Sequence, residues 1–519
     1  TSSYSVTGVQ TCALPILYVD GIFTYNNRFG VFSLDGLLGG SWQKSVYGVG
    51  VSVDNGTNAL FYPNEFNFQN LPTNVQVLST LASRAIKQGL FANVQLGFKD
   101  MIFLDLSGRN DWSSTLAGTG NESYFYPSIG LSALLNQILP MPDFITFSKV
   151  RASYTTVANE VPFNRVTPYH SVTASGGVSR NTVAPFTDAK PEMLRSLELG
   201  TEWRFLEGRF GFDFTYYNID SQDQFISLPA LAGSGYTTYY VNAGEIINKG
   251  IELTVDAEPV STADFTWRTA FNFARNKNEV SELWPEDPGK RVDLGSSEGY
   301  YNYIVAGGSF GDLYGYKFLR NDAGQIILDA KGAPRKTAEP ELIGSLDPDF
   351  TLGWNNNLTF KQFSLGFLIN GIFGGNCVSQ TESMLDGAGV SKRSGDDRDQ
   401  GYTEINAVSA EGAAVTQIDP EKWYRAIGDR NGILEAYVYD RTNVRLTQLA
   451  LTYDLNLKSL NIPIKAAAVS LVGQNLLFLY RNAPYDPELT MSTGLGAQSL
   501  DNFNVPATRT LGFNIKLNF

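Results

Sequence analysis

Apolar and polar residues alternate in short runs along most of this chain. The last run shows the pattern most plainly. From Thr508 to Phe519, Leu511, Phe513, Ile515, Leu517 and Phe519 fall on one side, and Thr510, Gly512, Asn514, Lys516 and Asn518 on the other. A strand sends successive side chains to opposite faces, so this period of two predicts a strand with one wholly apolar face. About twelve residues at ~3.3 Å, tilted by ~45°, rise about 28 Å, which is the apolar height of a bilayer. Hydrocarbon on one side and water on the other select this pattern, because hydrocarbon can satisfy neither a polar side chain nor an open sheet edge. Phe513, Ile515, Leu517 and Phe519 read as a C-terminal signal for barrel assembly.

Further strands come in pairs. Leu17–Tyr25 and Phe29–Trp42 are expected to turn at Asn26-Asn27. Leu90–Phe98 turns at Lys99-Asp100 into Met101–Arg109. Tyr124–Leu135 leads to Thr146–Val157, and Leu194–Phe205 turns at Glu207-Gly208 into Phe210–Asp220. Ile247–Ala257 turns over Pro259–Asp264 into Phe265–Arg275, and Phe350–Phe360 turns at Lys361-Gln362 into Phe363–Phe373. Val444–Leu455 connects through Asn461–Pro463 to Ile464–Asn475. Around Gln448 the apolar phase slips by one residue, which predicts a bulge.

Short turns alternate with long polar segments at about 43–84, 111–122, 158–193, 222–246, 277–348, 376–441 and 476–505. This asymmetry suits an outer-membrane barrel, with short turns in the periplasm and long loops outside. A β-helix would not produce it, and a propeller would repeat at a fixed blade length. The fold class expected is all-β, a transmembrane antiparallel β-barrel with about fifteen strands in this chain. Single-chain bacterial barrels have even strand numbers, so an odd total implies that strands precede it.

Composition agrees. In 519 residues there are 33 Phe, 26 Tyr and 50 Gly, with 18% charged residues. Mean hydropathy is -0.14. No run of about eighteen apolar residues occurs, which argues against membrane helices. A net charge of -13 argues against a general nucleic-acid binder. Val6–Ile16 (VTGVQTCALPI) resembles a translated sequencing-adapter oligonucleotide, so residues 1–16, with Cys12, are expected to be non-native and the barrel part to occupy 17–519.

Candidate chemistry is sparse. Cys12 and Cys377 form neither a disulfide framework nor a metal spacing. The one histidine, His170, would have to be the base of a serine triad, and no G-x-S-x-G elbow exists. Asp396 with Asp397, and Asp293 with Glu298, read as solvated acids. Gly307-Gly308 and Gly374-Gly375 lack the Lys-Ser/Thr of a phosphate loop. No enzyme, cofactor or metal site is assigned. The loop aromatics remain. Tyr236, Tyr239 and Tyr240 could stack on sugar rings or belong to an interfacial girdle, and the cluster around Tyr301, with Tyr300 and Tyr303, reads the same way. Tyr236, Tyr239, Tyr240 and Tyr301 are thus the candidates for substrate or lid contact.

Several stretches resemble the SusC/RagA family of TonB-dependent outer-membrane transporters, typical of Bacteroidetes, and fall in that family's order. They are Ser107–Trp112 (SGRNDW), Phe125–Gly130 (FYPSIG), Lys190–Glu202 (KPEMLRSLELGTE), Phe214–Asp220 (FTYYNID), Asn242–Glu252 (NAGEIINKGIE), and Gly473–Leu476 (GQNL) with Tyr485–Glu488 (YDPE). The family often carries a D-x-N-G-D-G-like segment where this chain reads Arg320–Gln325 (RNDAGQ), which lacks the alternating oxygen ligands of a calcium loop. The resemblance implies the C-terminal part of a plugged barrel of about 22 strands, with the plug and TonB box outside this chain. It also implies TonB-dependent import of an oligosaccharide or peptide across the outer membrane of a Gram-negative cell. A SusD-like lipoprotein would close over the loops, the TonB complex would act through the plug, and outer-membrane lipid would surround the wall. A passive porin or a structural or adhesive barrel stands as the alternative. The fragment alone is expected not to close, since the missing strands leave two edges unpaired.

Overall fold

In the computed structural model the alternating segments become one 15-stranded sheet, counted over the described residues, and its strand order follows the chain. Its strands are Leu17–Phe29, Phe32–Tyr47, Ser83–Phe98, Ile102–Ser113, Ser123–Leu134, Ile145–Asn159, Glu192–Phe205, Phe210–Gln222, Glu245–Ser261, Phe265–Glu282, Phe350–Phe360, Phe363–Phe373, Asn443–Leu455, Ala466–Arg481 and Thr510–Asn518. The first and last of these are its edges. Residues 16–47, 50–54, 60–63, 65, 68–70, 76–80, 83–172, 178–231, 233–283, 291–297, 299–455, 457, 463–489, 499–505 and 507–518 are described. Residues 1–15 with Cys12, Glu298, Asn461 and Phe519 lie outside them.

Register makes the two faces explicit. Leu365, Leu451, Leu471 and Phe513 lie side by side on four adjacent strands. The next row is Ser364, Thr452, Ser470 and Asn514. Thr452 and Ser470 share a hydroxyl hydrogen bond of 2.8 Å within that polar row. Leu471 and Phe513 remain 62% and 75% exposed, so the apolar row is built for a non-aqueous surrounding. The expected bulge is present: Leu368 pairs with Gln448 and Ile369 with Leu446, leaving Thr447 as the extra residue.

Turn chemistry sets most hairpins. Lys99 and Asp100 both have positive φ, 53° and 56°, the backbone of a type I′ turn. The first hairpin departs from expectation. Its turn lies at Gly30-Val31, where Gly30 takes φ 63° at little steric cost. Asn26 stays in the strand because its Nδ2 donates to Asp35 Oδ1 across the ladder at 2.7 Å. The strand of residues 245–261 also runs through Pro259, so its turn shrinks to residues 262–264.

The chain divides into two compact units. One comprises Thr1–Ala133, Ala152–Leu197 and Asp220–Glu245, and the other Leu134–Arg151, Glu198–Ile219 and Ile246–Phe519. In the first, Leu116, Tyr124, Val161, Val166, Phe186 and Ala189 form a core cluster among the connections. In the second, the segments read as long polar loops carry ordered structure. A four-stranded sheet joins Val292–Ser297, Tyr300–Ile304, Asp312–Gly315 and Glu341–Ser345. Helices occupy Gln380–Gly387, Lys392–Gln400 and Pro420–Ile427, capped by Ser379, Ser391 and Asp419, whose side chains accept backbone N–H bonds. Phe318, Tyr424, Ile427, Ile433 and Tyr437 pack as one core of this body, and Tyr300, Leu313, Leu346, Val378, Leu434 and Leu500 as another.

Asp386 anchors these helices while fully buried. Its Oδ2 accepts from Arg393 Nε at 2.8 Å and the Tyr437 hydroxyl at 3.0 Å, and its Oδ1 from Ser391 Oγ at 2.5 Å. Burial, with this carboxylate beside it, pushes the Tyr437 hydroxyl well above the ordinary tyrosine range. Removing Arg393 would leave the buried carboxylate without its cation, but the arginine itself is 39% exposed, so water screens the pair and the cost falls below the ~3–5 kcal/mol of a fully buried one.

The two faces should respond differently to charge. Leu471→Arg should cost about 2–4 kcal/mol when the receptor is refolded into lipid vesicles and titrated with urea, the penalty for a cation at the bilayer midplane. Asn514→Arg, one row away on the polar face, should cost under about 1 kcal/mol in the same titration.

Candidate functional site

Aromatic and β-branched residues favour strand pairing, and the stretch after Gln222 supplies them. Phe225–Pro229 pairs with Thr238–Asn242, and Gly233 and Gly235, both at positive φ, shape the tip between them. The hairpin carries three of the candidate tyrosines. Tyr240 stacks on Phe225 at 4.5 Å between ring centroids, and the Arg165 guanidinium lies 5.0 Å over its ring. Both rings pack against the buried cluster of Val161, Val166 and Phe186. Tyr239 pairs with Leu228 in the ladder, and Tyr236 sits half-buried at the tip, its N–H bonded to Ser234 Oγ.

Asn242 clamps the base of the hairpin. Its Oδ1 accepts the Lys190 N–H at 2.7 Å, and its Nδ2 donates to the carbonyls of Lys190 and Asp223 at 3.0 and 2.8 Å. Glu192 accepts the Phe225 N–H at 2.7 Å. The KPE and NAG motifs, whose Lys190 and Asn242 stand 52 residues apart, are therefore one joint. Asn242 thus bonds two other segments rather than its own backbone. Gly244 takes a positive φ of 87°. Gly250 does not, and is needed for space instead: a Cβ there would run into the Tyr217 ring and the Arg275 carbonyl.

Tyr301 belongs to the four-stranded sheet of the other unit. Strand alternation splits its cluster. Tyr300 turns inward to the core with Leu313 and Leu346, where burial pushes its hydroxyl up to about 12. Tyr301, Tyr303, Tyr314 and Tyr316 gather in front. Tyr301 stacks on Tyr303 at 5.5 Å and meets Tyr316 edge-on at 6.1 Å, while Tyr303 lies 5.4 Å from Tyr314. The Arg291 guanidinium sits 4.3 Å over the Tyr303 ring, and the Lys336 ammonium 3.9 Å over Tyr316. Burial and the hydrogen-bonded Tyr316 beside it push the Tyr301 hydroxyl up to about 12, so it stays a neutral donor at working pH. Tyr314 and Tyr316 escaped sequence reasoning, and the signal that could have found them is their own alternation, Tyr-Gly-Tyr in step with Tyr-Asn-Tyr.

Other sequence candidates are occupied by packing. Asn321 Oδ1 accepts the N–H groups of Ala323 and Gln325 at 3.1 and 2.9 Å, closing the RNDAGQ turn on itself. Arg445, buried beside Phe478, donates to Asp486 at 2.6 Å, so the YDPE motif is tied to a strand. Cys377 is buried, and burial pushes its thiol up to about 11. His170 Nδ1 accepts the Asn181 N–H at 3.0 Å. Among the described residues, no group of three or more His, Cys, Asp or Glu side chains is arranged to hold a metal.

A sheet with one apolar and one polar row, and with short and long connections alternating along most of its length, is the wall of an outer-membrane β-barrel. The family model for TonB dependent receptor-like β-barrels matches residues 3–409, and the chain belongs to that family. TonB-dependent receptor P3 of Formosa agariphila is 28% identical over 540 residues, covering 96% of this chain and 52% of that protein. TonB-dependent receptor SusC of Bacteroides thetaiotaomicron is 23% identical over 191 residues, 34% of this chain and 19% of that protein. The RagAB peptide transporter shares the fold, with a TM-score of 0.71 at 18% identity over 97% of this chain and 55% of that one. The chain spans about half the length of the Formosa receptors it matches. Its place is the outer membrane of a Gram-negative cell, and its family is one of receptors rather than enzymes.

Removing the clamp should free the hairpin. Asn242→Ala deletes three bonds that tie the hairpin base to the backbone of Lys190 and Asp223, and should speed amide exchange across 225–242 by at least about tenfold. Asn242→Asp keeps the acceptor for the Lys190 N–H and loses both donors, so its exchange should fall between the two.

Proposed function

We propose that this chain forms much of the wall and the external loops of a SusC-like importer. The protein takes up an oligosaccharide or a peptide too large for a porin, driven by the TonB complex. The observation that carries this reading is the family match together with the folded bodies in its long connections. A porin needs an open mouth, whereas these connections carry cores, helices and a tyrosine-faced sheet. Tyrosines are suited to capture because the ring offers apolar area and the hydroxyl a hydrogen bond. Tyr301 and Tyr314, with Tyr236 and Tyr239 in the other unit, are the residues we assign to contact with substrate or with a lid. The lid is a SusD-like lipoprotein that closes over the loops. Residues supplied outside this chain hold the plug and its TonB-binding segment, and residues 1–16 are adapter-derived.

Uptake tests the reading. A strain carrying the intact locus should import a labelled glycan or peptide from a defined panel only while the TonB complex is energised. Tyr301→Ala with Tyr314→Ala should raise the half-saturation concentration about three- to tenfold, at roughly 0.5–1.5 kcal/mol for the lost aromatic contacts, and leave receptor abundance unchanged. Uptake that persists without the TonB complex would leave a porin, and no uptake of any panel member would leave an adhesive or structural barrel. Clean reads across the locus test the proposal for residues 1–16.

A further inference from the structure

The NKGIE stretch carries a second joint, distinct from the Asn242 clamp. Asn248 Oδ1 accepts from Asn276 Nδ2 at 3.3 Å and from Asn278 Nδ2 at 2.9 Å. Asn276 Oδ1 in turn accepts the Tyr217 hydroxyl at 3.1 Å. Asn278 Oδ1 accepts the Phe310 N–H at 2.8 Å and lies 3.2 Å from Ser309 Oγ. A serine hydroxyl has one proton, and the nearer acceptor, Asp347, takes it. Ser309 Oγ then accepts the Gly311 N–H at 3.1 Å. The chain of bonds thus runs from three adjacent strands of the wall, through three amides, to the segment that opens Asp312–Gly315 of the tyrosine sheet. Backbone bonds between Val280 and Gly307–Gly308 run alongside it.

We propose that Asn248 and Asn278 are positioning residues that lock the tyrosine sheet to the ends of the wall strands. The two amides have different tasks. Asn248 serves this joint through its oxygen alone. Asn278 must donate on one side and accept on the other, which its amide does without charge and a carboxylate cannot do. Only the use of the sheet for capture rests on the function proposed above.

Hydrogen exchange on the whole receptor in detergent, read by mass spectrometry on peptides spanning 309–316, tests this without any ligand. Asn248→Ala and Asn278→Ala should each speed exchange there by about tenfold or more, while peptides in Phe350–Phe373 stay slow. Asn248→Asp keeps the acceptor and should exchange like the wild type. Asn278→Asp loses the donor, faces Asn248 with a charge, and should exchange as fast as Asn278→Ala. Alanine variants within twofold of wild type would overturn the proposal, as would Asn248→Asp exchanging as fast as Asn248→Ala. Where an alanine variant fails to assemble, the contrast between the two aspartates decides alone. A failed contrast would leave the importer reading intact, and failed uptake would leave this joint intact.

Discussion

Everything in this molecule follows from one constraint: backbone groups in hydrocarbon must be bonded, and only a neighbouring strand can bond them. That constraint enforces consecutive antiparallel pairing, since a strand displaced from its neighbour would strand a row of N–H and C=O groups at several kcal/mol each. It also explains why the apolar row Leu365–Leu451–Leu471–Phe513 can stay exposed beside the polar row Ser364–Thr452–Ser470–Asn514. Neither face is a core. The stability of the wall resides in its ladders and in the medium that bathes the apolar side.

Where the strands leave the membrane the constraint reverses. Water can satisfy any backbone, so long connections are free to be disordered unless they pack themselves. Here they do, with small cores around Tyr300 and Tyr437 and a buried Asp386 carboxylate paired to the partly exposed Arg393. That pair is weak warrant for net stability, because desolvation offsets most of its attraction. Its effect is specificity: with Ser391 and Tyr437 also bound, two helices and a distant segment have one way to meet.

This division explains what the sequence disclosed. The wall was legible because a two-residue period is a local property: Phe350–Phe360 and Phe363–Phe373 have the very ends that alternation predicts. The first hairpin was misplaced because two asparagines are a stronger turn signal than one glycine, and only the cross-strand partner Asp35 reverses that preference. The loop bodies were missed because their strands are short and their partners remote. Val378 pairs with Leu500, a contact that no local pattern announces. The tyrosines were half legible. Their composition drew attention, but which of Tyr300, Tyr301 and Tyr303 faces outward depends on the register of a strand only five residues long.

Some of the family motifs, SGRNDW, FYPSIG, FTYYNID and GQNL, lie within wall strands, whereas others lie, with their partners, at the boundary between these two regimes. Asn242 and Glu192, Asn248 and Asn278, and Arg445 with Asp486 all sit where a ladder ends and a long connection begins. At such a place a backbone group has lost its strand partner and has not yet gained reliable water, and a side-chain amide or carboxylate is the nearest substitute. The motif residues at these boundaries therefore end strands cleanly and aim the loops. They define how a binding surface is held and say little about what it binds. In the function proposed above, substrate choice falls to the surfaces these joints present, where Tyr236 and Tyr301 stand on ordered supports and the pattern of the wall exerts no demand.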